Sequence, residues 1–267
     1  MRYPALVGLI LPAALAGQSS PTAESPNRAI FAFETFADLF GSRLVAAFDS
    51  IPASKYDYRP TPEQQTIGYV AQHLEDANYG LCERLTDVKH PTTAKDSLAD
   101  TVKARWPKDT LVTRLKTSLA FCDAAIEHMA APQLPALTRT LLGFETDLAE
   151  HYSQISVYMR LLGMVPPSAL PPRPHTAIDL PMSALSPYVG RYELAPGLVL
   201  EMSVSAGALF VTSTEGGGPV KLWPESRTDF FVRGADAEVT FVRDARDQVT
   251  GLVLRQYGRD RPAARIK

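Results

Sequence analysis

The chain has 267 residues, 45% of them hydrophobic and 21% charged, with a formal net charge of −2. That is room for one large or two modest domains with real cores, in the composition range of soluble globular proteins. A charge so near zero gives no electrostatic case for nucleic acid or for an anionic membrane surface, and both are set aside as partners.

In chain order, "MRYPALVGLILPAALAGQSS" fits a secretory signal peptide over residues 1–16. Arg2 is a short positive n-region, Ala5 to Leu15 an apolar h-region, and Ala14-Leu15-Ala16 a small-x-small cleavage site. The apolar run is short for an uncleaved membrane anchor. Cleavage would remove Arg2 and move the formal charge from −2 to −3. Residues 17–26 then read as a solvated leader, and the expected location is secreted or periplasmic.

Residues 27–165 carry helical periodicity. Phe33, Phe36, Phe40, Leu44 and Phe48 recur at helical spacing in the first helix. In the second, Thr61 is a candidate N-cap, Pro62 suits the first helical position and Gln64 completes a capping box, ahead of a stripe of Ile67, Val70, Leu74, Ala77 and Leu81. A third helix runs through "DTLVTRLKTSLAFCDAAIEHMAA" after a loop containing His90. The fourth, "LGFETDLAEHYSQISVYMRLLGMVPPS", lays Phe144, Leu148, Ile155, Tyr158 and Leu162 on one face, and Gly163 can take the left-handed position that ends it. Four such helices with short to moderate connections argue for a bundle. Cys82 and Cys122, each in a helical pattern, could form one interhelical disulfide in an oxidising compartment or remain two buried thiols. Spacing alone leaves both open.

From 166 to 182 the chain is a proline-rich linker, with six prolines between Pro166 and Pro181. Such a segment is semi-rigid and extended, and His175 within it reads as solvated. From 183 to 267 the period changes. Seven or more short alternating runs, separated by Gly, Asp and Pro, indicate a small antiparallel barrel or sandwich. The basic tail "RQYGRDRPAARIK" reads as one strand with solvated arginines.

Three ligand-type side chains lie on or beside inward helical faces. His73 follows Val70 by three residues, and Asp147 and His151 stand four apart on the fourth helix. A buried carboxylate and imidazole are costly unless paired. Two histidines and a carboxylate from facing helices form a set suited to Zn, Fe(II), Ni or Mn, with positions left open. The same residues could instead form a hydrogen-bonded core network. His128, near the end of the third helix, is placed to complement the carbonyl dipole rather than to ligate.

The pieces "IPASKYDYRPTPEQQTIGYVAQHLEDANYGLC" and "EHYSQISVYMRLLGMVPPS" closely resemble the DinB-like (damage-inducible) superfamily of four-helix bundles, related to metal-dependent thiol transferases. The resemblance covers roughly Asn27 to Ser168. It implies a divalent metal held by one histidine on the second helix and an H-x-x-x-H pair on the fourth. By position these are His73, residue 147 and His151, and the chain departs from the pattern in carrying aspartate at 147. The segments "YVGRYEL", "LWPES" and "VTGLVLRQYGRD" resemble the lipocalin-like barrel found after serine-hydrolase domains in secreted bacterial proteins. No Ser-x-x-Lys or Gly-x-Ser-x-Gly motif accompanies it, so hydrolase catalysis does not come with it.

The expected fold is therefore α+β with two domains, a four-helix bundle followed by a small antiparallel β barrel. The expected function is that of an exported metal-binding protein, a metal-dependent transferase or hydrolase using a metal-activated water or thiol. The alternative is a non-catalytic binding or scaffold protein whose barrel holds a small ligand or partner. Expected partners are a small-molecule ligand or thiol, with a homodimer left open.

Overall fold

A computed structural model describes residues 26–171, 173–214 and 216–267. The expected signal peptide and all of the leader but Pro26 lie outside these described residues. Among them, no helix is long and apolar enough to cross a membrane.

The helical half contains α1 (Pro26–Ser50), α2 (Ile67–Cys82), α3 (Asp100–Lys103), α4 (Lys108–Glu127) and α5 (Leu134–Leu161), and a one-turn α6 (Met182–Leu185) precedes the barrel. Four are long, as their periodicity indicates, but the expected count of four omits α3 and α6. The first of these forms because the α2–α4 connection is pinned: Lys103 is buried and pairs with Asp76 on α2 and with Asp100. Both α1 and α2 pack on α4 and α5, closing one core. The inward face of α1 is Ile30, Ala37, Leu44 and Phe48, with Ile51 buried just past its end, while Phe36, about 100° away from Ala37, is exposed.

Helix α2 begins later than its cap signal suggests. Thr66, not Thr61, is the N-cap, its hydroxyl accepting from the Tyr69 amide at 3.1 Å. Thr61 and Gln64 instead close an exposed turn through Gln64 N–H to the Thr61 carbonyl, 3.1 Å. The first core residue of the stripe is Ile67, so a helix starting at 62 would add a turn with no buried face to hold it. Gly68 is required here, since a Cβ would stand 2.2 Å from the Ala104 carbonyl oxygen. At the far end of α5, Gly163 takes φ +74°. Gly163 N–H then reaches the Arg160 carbonyl and Met164 N–H the Met159 carbonyl, a Schellman ending. Cys82 and Cys122 form a disulfide joining α2 to α4.

The β half has eight strands: β1 (Gly190–Ala195), β2 (Leu198–Ser205), β3 (Ala208–Ser213), β4 (Val220–Pro224), β5 (Asp229–Phe231), β6 (Ala237–Arg243), β7 (Val249–Gln256) and β8 (Arg259–Ile266). Each pairs antiparallel with its neighbour in sequence, and β8 closes on β1 with Tyr192 opposite Arg265. The choice between barrel and sandwich is thus resolved as a closed barrel, which leaves no free sheet edge. Alternate residues fill its core, among them Tyr188, Tyr192, Phe230 and Phe241, with Tyr188 stacked on Phe241 at 4.1 Å. The turn between β7 and β8 places Tyr257 and Gly258 both at positive φ, the geometry of a tight type I′ hairpin.

Three side chains read as solvated are engaged. His175 in the linker stacks on Phe231 at 4.3 Å and places Nδ1 3.1 Å from Glu225. On β8, Arg261 is buried against Asp38 of α1, and Arg259 reaches Asp38 at 3.2 Å, so the basic tail docks the barrel on the bundle.

Candidate metal centre

Helices α2 and α5 pack side by side, and their core residues decide where the polar ones fall. Val70 and Leu74 turn inward on α2, and Leu148 and Ile155 on α5. His73, Asp147 and His151 consequently line the edge of the α2–α5 seam. Their side chains are 38%, 22% and 12% exposed, so the group is sunk into the surface but open on the His73 side.

The one-turn offset of Asp147 and His151 brings His151 Nε2 to 3.4 Å from Asp147 Oδ1. From α2, His73 Nε2 approaches the same oxygen at 3.8 Å. The imidazoles meet edge to face with centroids 4.9 Å apart. All three donor atoms lie within 4.8 Å of one another. Ligand bonds of about 2.1 Å at tetrahedral or octahedral angles separate neighbouring donor atoms by roughly 3.0–3.5 Å; the two Asp147–histidine separations, 3.4 and 3.8 Å, are near that range, and the full set spreads over 4.8 Å. The other carboxylate oxygen, Asp147 Oδ2, is buried without a hydrogen-bond partner among the described residues.

Electrostatics favour an ionised carboxylate. Burial alone would raise the Asp147 pKa, but the contacts with His151 and then His73 outweigh it and hold the group down at about 2. For His151 burial pulls downward, and the contacts with Asp147 and Gln154 turn the net shift upward. His151 Nδ1 lies 3.0 Å from Gln154 Oε1, and Gln154 Nε2 donates to the Tyr158 hydroxyl at 3.0 Å. That hydroxyl donates to the Gln65 carbonyl at 3.2 Å. The Gln154 contact favours the tautomer with the proton on Nδ1, which leaves Nε2 free as a ligand. His73 stacks parallel to Tyr69.

All three residues singled out in the sequence therefore converge. Gln154, Tyr69 and Gln65 were not singled out, and Tyr158 was read only as part of the apolar face; Gln154 and Tyr158 follow His151 at helical spacing and carried that signal. The remaining histidines stay apart. His90 stacks on Tyr79 at 4.1 Å and pairs with Glu83, and His128 caps α4 with Nδ1 2.7 Å from the Ala124 carbonyl. Among the described residues, no other group of three metal-ligand side chains converges.

Residues 38–154, which contain all three, match the family model of the DinB superfamily. Residues 38–154 are a DinB superfamily domain. Residues 174–263 match a domain of unknown function (DUF3471), which covers the barrel up to the middle of β8. No curated protein matches the chain. Within the DinB domain, the expected three-histidine pattern is met at 73 and 151 and replaced by aspartate at 147. An anionic oxygen there fits a divalent cation, and it lowers the net charge of the donor set by one relative to a third imidazole.

Proposed function

We propose that the DinB domain binds a divalent metal, one of Zn, Ni, Fe and Mn, through His73, Asp147 and His151, and uses it in transferase or hydrolase chemistry on a small molecule or thiol. The observation that carries this reading is the partly buried Asp147 carboxylate, with one oxygen facing two imidazole nitrogens and the other buried with no partner among the described residues. A self-sufficient network would bring the donors to about 2.8–3.0 Å and satisfy both oxygens. Separations of 3.4 and 3.8 Å suit atoms that share a cation better than atoms that share a proton.

When bound, the ion would supply Lewis acidity, lowering the pKa of a water or thiol brought to its open side. The protein's own residues have separable tasks. Asp147, ionised throughout the physiological range, provides the negative charge that offsets the ion. Gln154 orients His151, and Tyr158 anchors Gln154 to the Gln65 carbonyl. A cavity of about 630 Å³, bounded in part by Arg59, Gln65, Tyr69 and Arg105, shares Tyr69 with the surroundings of His73 and offers a place for substrate. Export remains part of the proposal, supported by the signal-like first 16 residues and by the Cys82–Cys122 disulfide, which suits an oxidising compartment.

Calorimetric titration with Zn of wild type, His73→Ala and Asp147→His tests the site. One ion per chain is expected for wild type, loss for His73→Ala and retention for Asp147→His. Equal, weak binding by all three contradicts the proposal. Catalysis is tested separately: turnover of a chromogenic ester, or transfer of a low-molecular-weight thiol, should stop on chelation and return with metal. Turnover indifferent to chelation removes the catalytic part.

A further inference from the structure

Away from the candidate metal centre, a cavity of about 850 Å³ lies between the two domains. That is the size range of small-molecule sites, and domain junctions are where such sites concentrate. One wall is α1, the other is the β5–β6 hairpin with the β7–β8 turn, and the linker runs between them.

The walls are fixed to one another. Ser168 N–H donates to the Tyr152 hydroxyl of α5 at 2.8 Å, which ties the start of the linker to the bundle. Further on, Arg173 reaches Glu225 and Glu238 at 3.3 and 3.1 Å, and His175 pairs with the same two carboxylates while stacked on Phe231. Ile178 N–H then donates to the Pro224 carbonyl. Across the top, Arg259 and Arg261 hold β8 to Asp38. A groove held on every side is largely formed before anything enters it.

Its lining combines apolar surface with unpaired positive charge. Leu39, Leu170, Phe231, Val232 and Tyr257 supply the apolar part. Of its arginines and carboxylates, Arg43, Arg173 and Arg233 stand against Asp236 and Glu238, an excess of one positive charge (3 − 2), and His175 and Tyr257 also line it. Arg173 and Glu238 satisfy each other. Arg43, half-buried on α1, lies 5.7 Å from the Tyr152 ring and has no carboxylate partner among the described residues. Arg233, on the opposite wall, lies over one side of Trp223 at 3.5 Å, and Lys221 approaches the same ring at 3.7 Å. Both domains thus present a guanidinium that no acidic side chain among the described residues neutralises. An arginine fork is built to take a carboxylate or phosphate in bidentate fashion.

We infer that this interdomain groove is a binding site for an amphiphilic organic anion, a carboxylate or phosphate monoester on an apolar body, held between Arg43 and Arg233. The anionic head pairs with the guanidinium groups and the body covers the Leu39–Leu170–Phe231 surface. Because the ligand touches both domains, its binding favours the docked arrangement over the separated one. The site shares no residue with the metal centre and stands or falls independently of it.

The test is a calorimetric titration of the full chain, below micelle-forming concentrations, with decanoate and with decyl phosphate. Decanol, inorganic phosphate and decyltrimethylammonium serve as probes of body alone, charge alone and opposite charge. At least one of the two anions is expected to bind saturably with one molecule per chain, and whichever binds more tightly names the head group. Arg43→Gln and Arg233→Gln should each weaken that binding at least tenfold without changing the melting temperature of the free protein, and His73→Ala should leave it unchanged. Absence of saturable binding by both anions overturns the inference. So does equal binding of decanol or decyltrimethylammonium, or binding that survives in the double variant Arg43→Gln/Arg233→Gln.

Discussion

A buried carboxylate with an idle oxygen is costly, because the missing partner leaves its desolvation uncompensated. At Asp147 that cost falls where two imidazoles converge, which is the arrangement a cation relieves. Since ligating imidazoles must be neutral, metal affinity should fall as pH drops through the histidine range, while Asp147, held at about 2, stays ionised. The upward shift of His151 by Asp147 makes proton competition begin at a higher pH than for a free histidine. Zn titrations at pH 8 and pH 5.5 should show tighter binding at the higher pH, and unchanged affinity speaks against histidine ligation. Gln154→Ala frees the His151 ring and should weaken metal affinity by roughly 10–100-fold, the usual effect of removing an outer-shell partner, with the helix content unaltered by circular dichroism. The three candidate ligands were legible because i, i+4 spacing and a facing histidine are sequence patterns. The Tyr158 to Gln65 contact was not, because a carbonyl 93 positions away carries no sequence mark.

Element by element, the period of the apolar residues was the reliable guide, and end signals were less so. The alternating runs after residue 183 became eight strands, but alternation says nothing of closure, which depends on β8 returning to β1. At α2, the Thr61–Pro62–Gln64 pattern is a good local helix start, yet the first residue with a core to enter is Ile67, and packing overrode propensity. The bridge between α2 and α4 links residues 40 apart in sequence, with Cα atoms 5.2 Å apart. In the chain-entropy account, closing a loop of that length stabilises the fold by about 3–4 kcal/mol. Reduction should therefore lower the urea midpoint, and protein unfolded without reductant should show no titratable thiol among Cys82 and Cys122. Two reactive thiols under those conditions contradict the bridge.

For the molecule as a whole, the docking of barrel on bundle is the feature least visible in the chain. Arg259 and Arg261 read as solvated because their partner, Asp38, is more than 200 residues away. That junction gathers acids around them. Asp123 is pushed up to about 6 by burial and by Asp38, and Glu145 to about 8 by burial and then by Asp38 and Asp123. Glu145 has both oxygens buried and unpartnered. Its folded pKa lies above the ordinary 4.5, so the folded protein keeps a proton that the unfolded chain releases. Stability should then decline as pH rises from about 4.5 to about 8. Glu145→Gln should remove that decline and stabilise the protein at pH 8.5 by on the order of 1–3 kcal/mol, with little effect near pH 5. Urea unfolding at the two pH values decides it. Equal effects at both would place the Glu145 charge in water.

The central claim is that His73, Asp147 and His151 share one divalent ion. Crystals of the wild type grown with Zn, measured on both sides of the Zn absorption edge, test it most directly. The account predicts an anomalous peak about 2.0–2.2 Å from His73 Nε2, His151 Nε2 and an Asp147 oxygen. A map with no peak at the α2–α5 seam, or with Zn bound only to other residues, contradicts it.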